Sequence, residues 1–300
     1  GFQPDLVWAK IRSTTGNSDI VDSTRGTTKY IYSSLSDAEG TWTDKLVSFN
    51  SNGFTLNSDQ AGTGQMNSTN GATQVAWQWK ANGGTTSSNT SGTITSTVQA
   101  NTTAGFSIIS YTGNATSGAT IGHGLGVAPK MVIVKNRPNT YGWIVYHASV
   151  GNTGAVFLNT TDQFTVNSVY WNNTSPTSSV ITLGNTVSTN GSGAAHIAYA
   201  FADVAGFSKF GSYTGNGNAD GVFVYLGFRP KYVMIKNSGG GATSSLQGWI
   251  MMDTSRSTYN QTADALFANN FNASNSGTSY AIDILSNGFK TRGTDGSVNE

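Results

Sequence analysis

Apolar residues recur in short continuous runs, each entered by a proline. Gly1-Phe2-Gln3-Pro4-Asp5-Leu6-Val7-Trp8-Ala9-Lys10 returns as Gly126-Val127-Ala128-Pro129-Lys130-Met131-Val132-Ile133-Val134-Lys135. It returns again as Gly227-Phe228-Arg229-Pro230-Lys231-Tyr232-Val233-Met234-Ile235-Lys236, and in all three copies Lys follows Pro by six residues. Proline cannot donate to a sheet ladder, so it suits a strand entrance, and the apolar run behind it predicts a buried strand. Each lysine reads as a strand-end charge that keeps the sheet soluble.

Further blocks keep the same order. Trp143-Ile144-Val145-Tyr146-His147 matches Trp249-Ile250-Met251-Met252-Asp253 and, more loosely, Ser18-Asp19-Ile20-Val21-Asp22. Thr24-Arg25-Gly26 and Ser255-Arg256 follow the two aspartates. Asn52-Gly53 and Asn287-Gly288 each sit between apolar runs and predict tight hairpins, because both residue types tolerate positive φ. Val75-Ala76-Trp77-Gln78-Trp79 matches Ile197-Ala198-Tyr199-Ala200-Phe201 as an alternating strand. Gly105-Phe106 leading to Tyr111-Thr112-Gly113-Asn114 matches Gly206-Phe207 leading to Tyr213-Thr214-Gly215-Asn216.

These spacings define a repeat of about 100 residues, a usual size for one all-β domain. The chain divides into a first repeat at 1–81, a Gly/Ser/Thr-rich stretch at 82–105, a second repeat at 106–205 and a third at 206–300. The stretch at 82–105 reads equally as a linker or as an extra hairpin around Thr93–Val98. The first repeat lacks a counterpart of Phe106–Asn114 and the third lacks one of Ile197–Phe201. Such gaps leave ladder edges open, so repair by flanking sequence, by strand exchange or by packing of the incomplete repeats together is expected.

Composition narrows the class. Asn, Ser and Thr make up 105 of 300 residues, Gly another 37, and charged residues only 10%. Glu39 and Glu300 are the only glutamates, and the abundant Thr, Val, Tyr and Phe favour strands over helices. The expected fold is all-β, as tandem antiparallel β-sandwich repeats of jelly-roll or concanavalin-like type. A net charge of +1 with scattered basic residues gives no footprint for nucleic acid. No apolar run reaches 18 residues, so membrane insertion is not expected. Absence of cysteine excludes disulfides and Cys-based metal sites.

Candidate chemistry is sparse. Asp37 and Glu39 are the one close Asp/Glu pair, and Asp22 and Asp253 share a repeat position that holds His147 in the second repeat, which suits a hydrogen-bonded turn better than a general acid. His123, His147 and His196 lie in different blocks without metal-ligand spacing. Asn216, Asn218 and Asp220 alternate ahead of Gly221 like the opening of a calcium loop, but the twelfth position is Gly227 rather than a bidentate Glu. A glycine-rich turn is the main reading there, calcium the alternative, and no other cofactor is expected. Trp42, Tyr170 and Trp171 lie outside the repeated blocks and are candidates for stacking on a sugar, against the alternative that they cap the fold.

The set of Gly-Phe-x-Pro-x-x-Val-x-x-Lys, Ser-Asn-Gly-Phe and Ala-Gly-Phe-Ser…Ser-Tyr-Thr-Gly-Asn-Gly resembles a repeated domain of tailed-phage structural proteins, those of marine and freshwater bacteria and cyanophages among them. The resemblance spans essentially the whole chain. It implies a non-enzymatic virion protein, a tail fibre or other surface appendage, whose partners are other virion proteins, copies of itself and a host-surface glycan. A capsid decoration or head fibre is the alternative in the same class. A carbohydrate-active enzyme is the alternative in another.

Overall fold

The computed structural model describes all residues except 58–65, 68–69 and 240–247. The first repeat contributes β1 (Leu6–Ile11), β2 (Ser18–Asp22), β3 (Lys29–Tyr32), β4 (Gly40–Thr41), β5 (Leu46–Asn50), β6 (Gly53–Leu56) and β7 (Gln74–Trp79). Residues 82–105 supply β8 (Ser87–Asn89) and β9 (Ser96–Asn101), so this stretch is strand-bearing. In the second repeat lie β10 (Phe106–Thr112), β11 (Thr120–Gly122), β12 (Met131–Asn136), β13 (Ile144–His147), β14 (Gly151–Phe157), β15 (Thr165–Val166) and β16 (Val180–Thr182). It closes with the one-turn helix α1 (Val187–Asn190) and β17 (Ala195–Phe201). The third holds β18 (Phe223–Tyr225), β19 (Tyr232–Ile235), β20 (Ile250–Asp253), β21 (Leu266–Phe267), β22 (Ile282–Leu285), β23 (Gly288–Thr291) and α2 (Gly296–Asn299).

Among the described residues the strands form six separate sheets, of which the largest run β4-β3-β2-β1-β7 and β15-β14-β13-β12-β17-β10-β9-β8. Every strand pair is antiparallel. The all-β expectation stands, but the tandem jelly-roll or concanavalin-like sandwiches do not: among the described residues no sheet closes or curls as those folds require. The third repeat shows why, since its strands split between β19-β20-β21 and β18-β23-β22 rather than joining one continuous surface.

The repeat itself is plain in the pairing. Leu6 pairs with Asp22, Met131 with His147 and Tyr232 with Asp253, and Pro4, Pro129 and Pro230 are buried two residues ahead of these strands. Because side chains alternate along a strand, the positions two and four residues after each proline share a face. Leu6 and Trp8, Met131 and Ile133, and Tyr232 and Met234 all point into one core common to the three repeats, joined there by Trp143, Tyr199 and Trp249. The opposite faces (Val7 and Ala9; Val132 and Val134; Val233 and Ile235) enter a separate core in each repeat. Burial on both faces explains why β1 and β12 read as continuous apolar runs.

The hairpins differ from expectation in detail. Asn50 pairs with Gly53 and Leu285 with Gly288, so the two-residue turns are Ser51-Asn52 and Ser286-Asn287, and each glycine opens the returning strand. Gly53 has the expected positive φ, 154°, whereas Gly288 does not and is required by space, since a Cβ there would lie against the Val224 carbonyl oxygen.

Candidate functional site

The polar residues gather where one repeat meets the next, and they do so in cyclic order. The lysine six residues after each proline continues the series that faces the shared core, so it points toward the neighbouring repeat. Lys135 is 0% exposed, and its Nζ donates to Ser36 O of the first repeat at 3.1 Å and to the carbonyls of Asn136, Asn139 and Tyr141 at 2.9, 3.1 and 2.7 Å. Lys10, 1% exposed, reaches Asn270 O of the third repeat at 2.7 Å. Lys236 donates to Thr161 O of the second at 3.0 Å. The expectation of a solvent-facing charge is thus corrected for Lys10 and Lys135, whereas Lys236 is partly exposed; each of the three reaches a neighbouring repeat and together they close a ring. Burial pulls the pKa of each down to about 8.

Three further bonds follow the same circuit. Trp143 Nε1 donates to Tyr32 O at 2.9 Å, Trp249 Nε1 to Phe157 O at 2.7 Å and Ser33 Oγ to Ala268 O at 2.8 Å.

At two of the three joints a carboxylate ends the second strand and receives an aromatic donor from the adjacent repeat. Tyr199 Oη donates to Asp22 Oδ2 at 2.7 Å, and Trp77 Nε1 donates to Asp253 Oδ2 at 3.1 Å. Each carboxylate also organises the following turn, Asp22 Oδ1 accepting from Thr24 N and Arg25 N, and Asp253 Oδ1 from Ser255 N and Arg256 N. Arg25 pairs with Asp22 and with Glu39, while Arg137 of the second repeat clasps both Glu39 oxygens at 2.8 and 2.9 Å. Burial works against ionisation of Glu39, but Arg137 and Arg25 outweigh it and hold the carboxyl below its ordinary range. Burial likewise opposes the charge on Asp253, and Arg256 overrides it. Both are fixed as carboxylates at neutral pH, which suits interlocking and not proton donation.

The sequence-predicted candidates do not converge. Trp171 is 1% exposed and packs edge-on against Tyr146, so as a sugar platform it is corrected to a core residue. Tyr170 is half-buried against Phe157. Trp42 is half-buried and stacks on Tyr30 at 3.5 Å between centroids, with Lys45 Nζ 5.3 Å from its ring, so both contacts compete with a ligand for that surface. Asn216 Oδ1 accepts from Asn218 N and Asn218 Oδ1 from Asp220 N, while the Asp220 carboxylate binds Lys290 and Arg292. Those oxygens are committed to successive turns and two cations, which leaves the glycine-rich turn as the reading over calcium. Among the described residues no three His, Cys, Asp or Glu side chains gather as metal ligands.

Asp19 is the perturbed carboxyl that sequence reasoning missed. It is fully buried in β2, accepts from Met66 N at 2.8 Å, and is pushed up to about 7 chiefly by burial. In the sequence it looks like any polar residue alternating with Ile20, and only the second covered face of the sheet buries it.

No curated protein and no solved structure matches this chain. A family model described as a domain of unknown function, DUF7483, matches residues 1–300, and the chain belongs to that family.

Proposed function

We propose that the chain is a structural component of a tailed-phage particle, part of a tail fibre or comparable surface appendage. The reading rests on the block set Gly-Phe-x-Pro-x-x-Val-x-x-Lys, Ser-Asn-Gly-Phe and Tyr-Thr-Gly-Asn, which resembles repeats of phage structural proteins. The observation that carries it is the cyclic interlock of Lys10, Lys135 and Lys236 with the neighbouring repeats. Ammonium groups spent on carbonyl oxygens of the neighbouring repeats, those of Lys10 and Lys135 buried, make three repeats one stiff block, which is the property of a mechanical element. Its role is to hold loops rich in Asn, Ser and Thr toward a host surface, with amide and hydroxyl groups for hydrogen bonds to glycan and Trp42 as the partly exposed aromatic.

Immunogold electron microscopy of phage particles with an antibody against residues 1–300 tests this. Gold on tail appendages supports it, gold on the head favours a decoration protein or head fibre, and unlabelled particles overturn a virion role. A glycan array with the purified chain addresses recognition: retention without turnover fits a binding element, and released oligosaccharide fits an enzyme.

A further inference from the structure

We infer that the outer face of the β18-β23-β22 sheet in the third repeat is a binding platform for an uncharged oligosaccharide, with Phe223 and Tyr225 as its stacking rings. The inference rests on the reading of the chain as an appendage that meets a host glycan, and it locates that contact in the third repeat, not at Trp42. Alternation along β18 turns Val224 into the core of this repeat and Phe223 and Tyr225 to the other side, where they are 46% and 67% exposed. Phe289 of β23 and Ile282 and Ile284 of β22 enter the same core, so the opposite face of all three strands points outward.

Both rings lie along glycine backbone. A Cβ on Gly288 would come 3.1 Å from Phe223 Cε2, and one on Gly227 would come 3.6 Å from the Tyr225 hydroxyl. A ring laid on bare backbone keeps one flat face toward water, and a pyranose ring offers an apolar face of C–H groups to match it. The polar edges of such a sugar need donors and acceptors beside the rings. At one end stands the exposed Asn287, whose backbone oxygen accepts from Leu226 N and Gly227 N next to Tyr225. At the other, Lys290 lies opposite Phe223 and pairs with Asp220.

The same place in the second repeat is closed. There β11 carries Thr120 and Gly122 on either side of the buried Ile121, and residues of the preceding stretch lie on them. Thr93 N donates to Thr120 Oγ1 at 2.9 Å, the Asn89 side chain fills the space above Gly122, and Ile94 bridges to Ile121. That cover comes from the residues between Trp79 and Phe106, whereas only residues 202–206 separate Phe201 from Phe207. The two aromatic rings of β18 thus stand where the third repeat has no such cover and where the second has small residues.

Size and charge select the occupant. Strands of three and four residues set about 4.8 Å apart span about 10 by 13 Å. A stable protein interface needs about 800 Å² from each partner, several times this face, so a short oligosaccharide fits where a protein partner or second copy does not. Arg292 pairs with Asp220 and with Asp283, so the two cations at the rim are balanced by two carboxylates. A face without excess charge favours an uncharged ligand over an acidic one.

The test screens the full chain against neutral hexasaccharides of glucose, mannose, galactose and N-acetylglucosamine, with a galacturonate hexasaccharide as the acidic comparison, and measures the tightest by calorimetry. A neutral probe should bind best, and Tyr225→Ala and Phe223→Ala should each weaken it about tenfold. Tyr225→Phe, which keeps the ring, and Trp42→Ala should bind like the parent, and unchanged urea midpoints verify that the two alanine variants are folded. Undiminished binding by both alanine variants overturns the platform and leaves glycan recognition elsewhere on the chain standing. Binding of no neutral probe overturns the platform and the glycan reading together. Preference for the galacturonate probe also overturns the proposal, as does self-association that Tyr225→Ala abolishes, which would assign the face to a second copy of this chain.

Discussion

Lys135 Nζ lies 3.1 Å from the carbonyl oxygen of Ser36, and this bond joins two repeats whose strands share no ladder. The same ammonium serves three carbonyls of its own repeat, so four backbone oxygens depend on one side chain. Replacing Lys135 by Met keeps most of the volume and removes every donor. Loss of partners for buried carbonyls costs about 1–3 kcal/mol each at most, shared here because the four crowd around one atom. Lys135→Met should lower unfolding free energy by about 2–4 kcal/mol in urea denaturation, and a variant within 0.5 kcal/mol of the parent would show that the cage is dispensable.

The carboxylate joints should respond differently to removal of either partner. Trp77→Phe deletes one neutral donor to Asp253 and keeps the ring, so a loss of about 1 kcal/mol is expected. Asp253→Ala strands the Arg256 guanidinium, which is 2% exposed, and should cost about 3–5 kcal/mol. Equal effects from the two substitutions in chemical denaturation would contradict the assignment of Asp253 as the partner that neutralises Arg256.

Stability should depend on pH in an unusual way. Lys10, Lys135 and Lys236 titrate near 8 in the folded chain against about 10.5 when unfolded, so between these values the unfolded chain binds more protons and stability rises with pH. Asp19 is the opposite case: raised to about 7 from 3.8, it makes the folded chain bind more protons in that window, so stability falls as pH climbs through it. Glu39 and Asp253, held below their ordinary values, contribute above about 4.5, and that part is lost on further acidification. His123, His147 and His196, each lowered chiefly by burial, act in the same sense as the lysines and oppose Asp19 below neutral pH, so single-site variants and not the overall curve isolate each effect. Relative to the parent, Asp19→Asn should remove a loss of urea midpoint between about pH 4 and 7, and Lys135→Met should reduce the rise above about pH 8. Variants whose pH dependence matches the parent's would contradict the two burials.

How much of this was legible in the sequence varies with the physics behind each feature. The Pro-to-Lys interval recurs at 4–10, 129–135 and 230–236, and the strand entrances lie where it places them. The interval is even, so each lysine had to share a face with Trp8, Ile133 or Met234, a consequence of period-two alternation. What the sequence did not show is that this face is covered by other repeats, because shared burial depends on contacts across more than 100 residues, such as Lys10 with Asn270. The sandwich expectation failed for the same reason: apolar residues on both faces of β1 fit any doubly covered strand, and only tertiary packing distinguishes a facing sheet from a ring of repeats. Trp171 looked like a loop aromatic beside Asn172 and Asn173, yet it fills the private core of the second repeat.

The glycine at 288 separates steric need from backbone need. Both Asn-Gly pairs looked alike in the sequence, but Gly53 holds a positive φ with nothing within 4 Å of an added Cβ, whereas a Cβ added at Gly288 would collide with the Val224 carbonyl oxygen. That contact arises because β18 runs alongside β23, with Tyr225 opposite Gly288. Adding a methyl group requires the β18–β23 ladder to open or shift, and such overpacking costs about 1–3 kcal/mol. Gly288→Ala should therefore destabilise the chain by about that amount and speed amide exchange at Phe223–Tyr225. Gly53→Ala meets no neighbouring atom and should leave exchange in β18 unchanged, its cost being confined to the β5–β6 hairpin. If Gly288→Ala left the exchange of β18 untouched, the close approach of the two strands would be wrong.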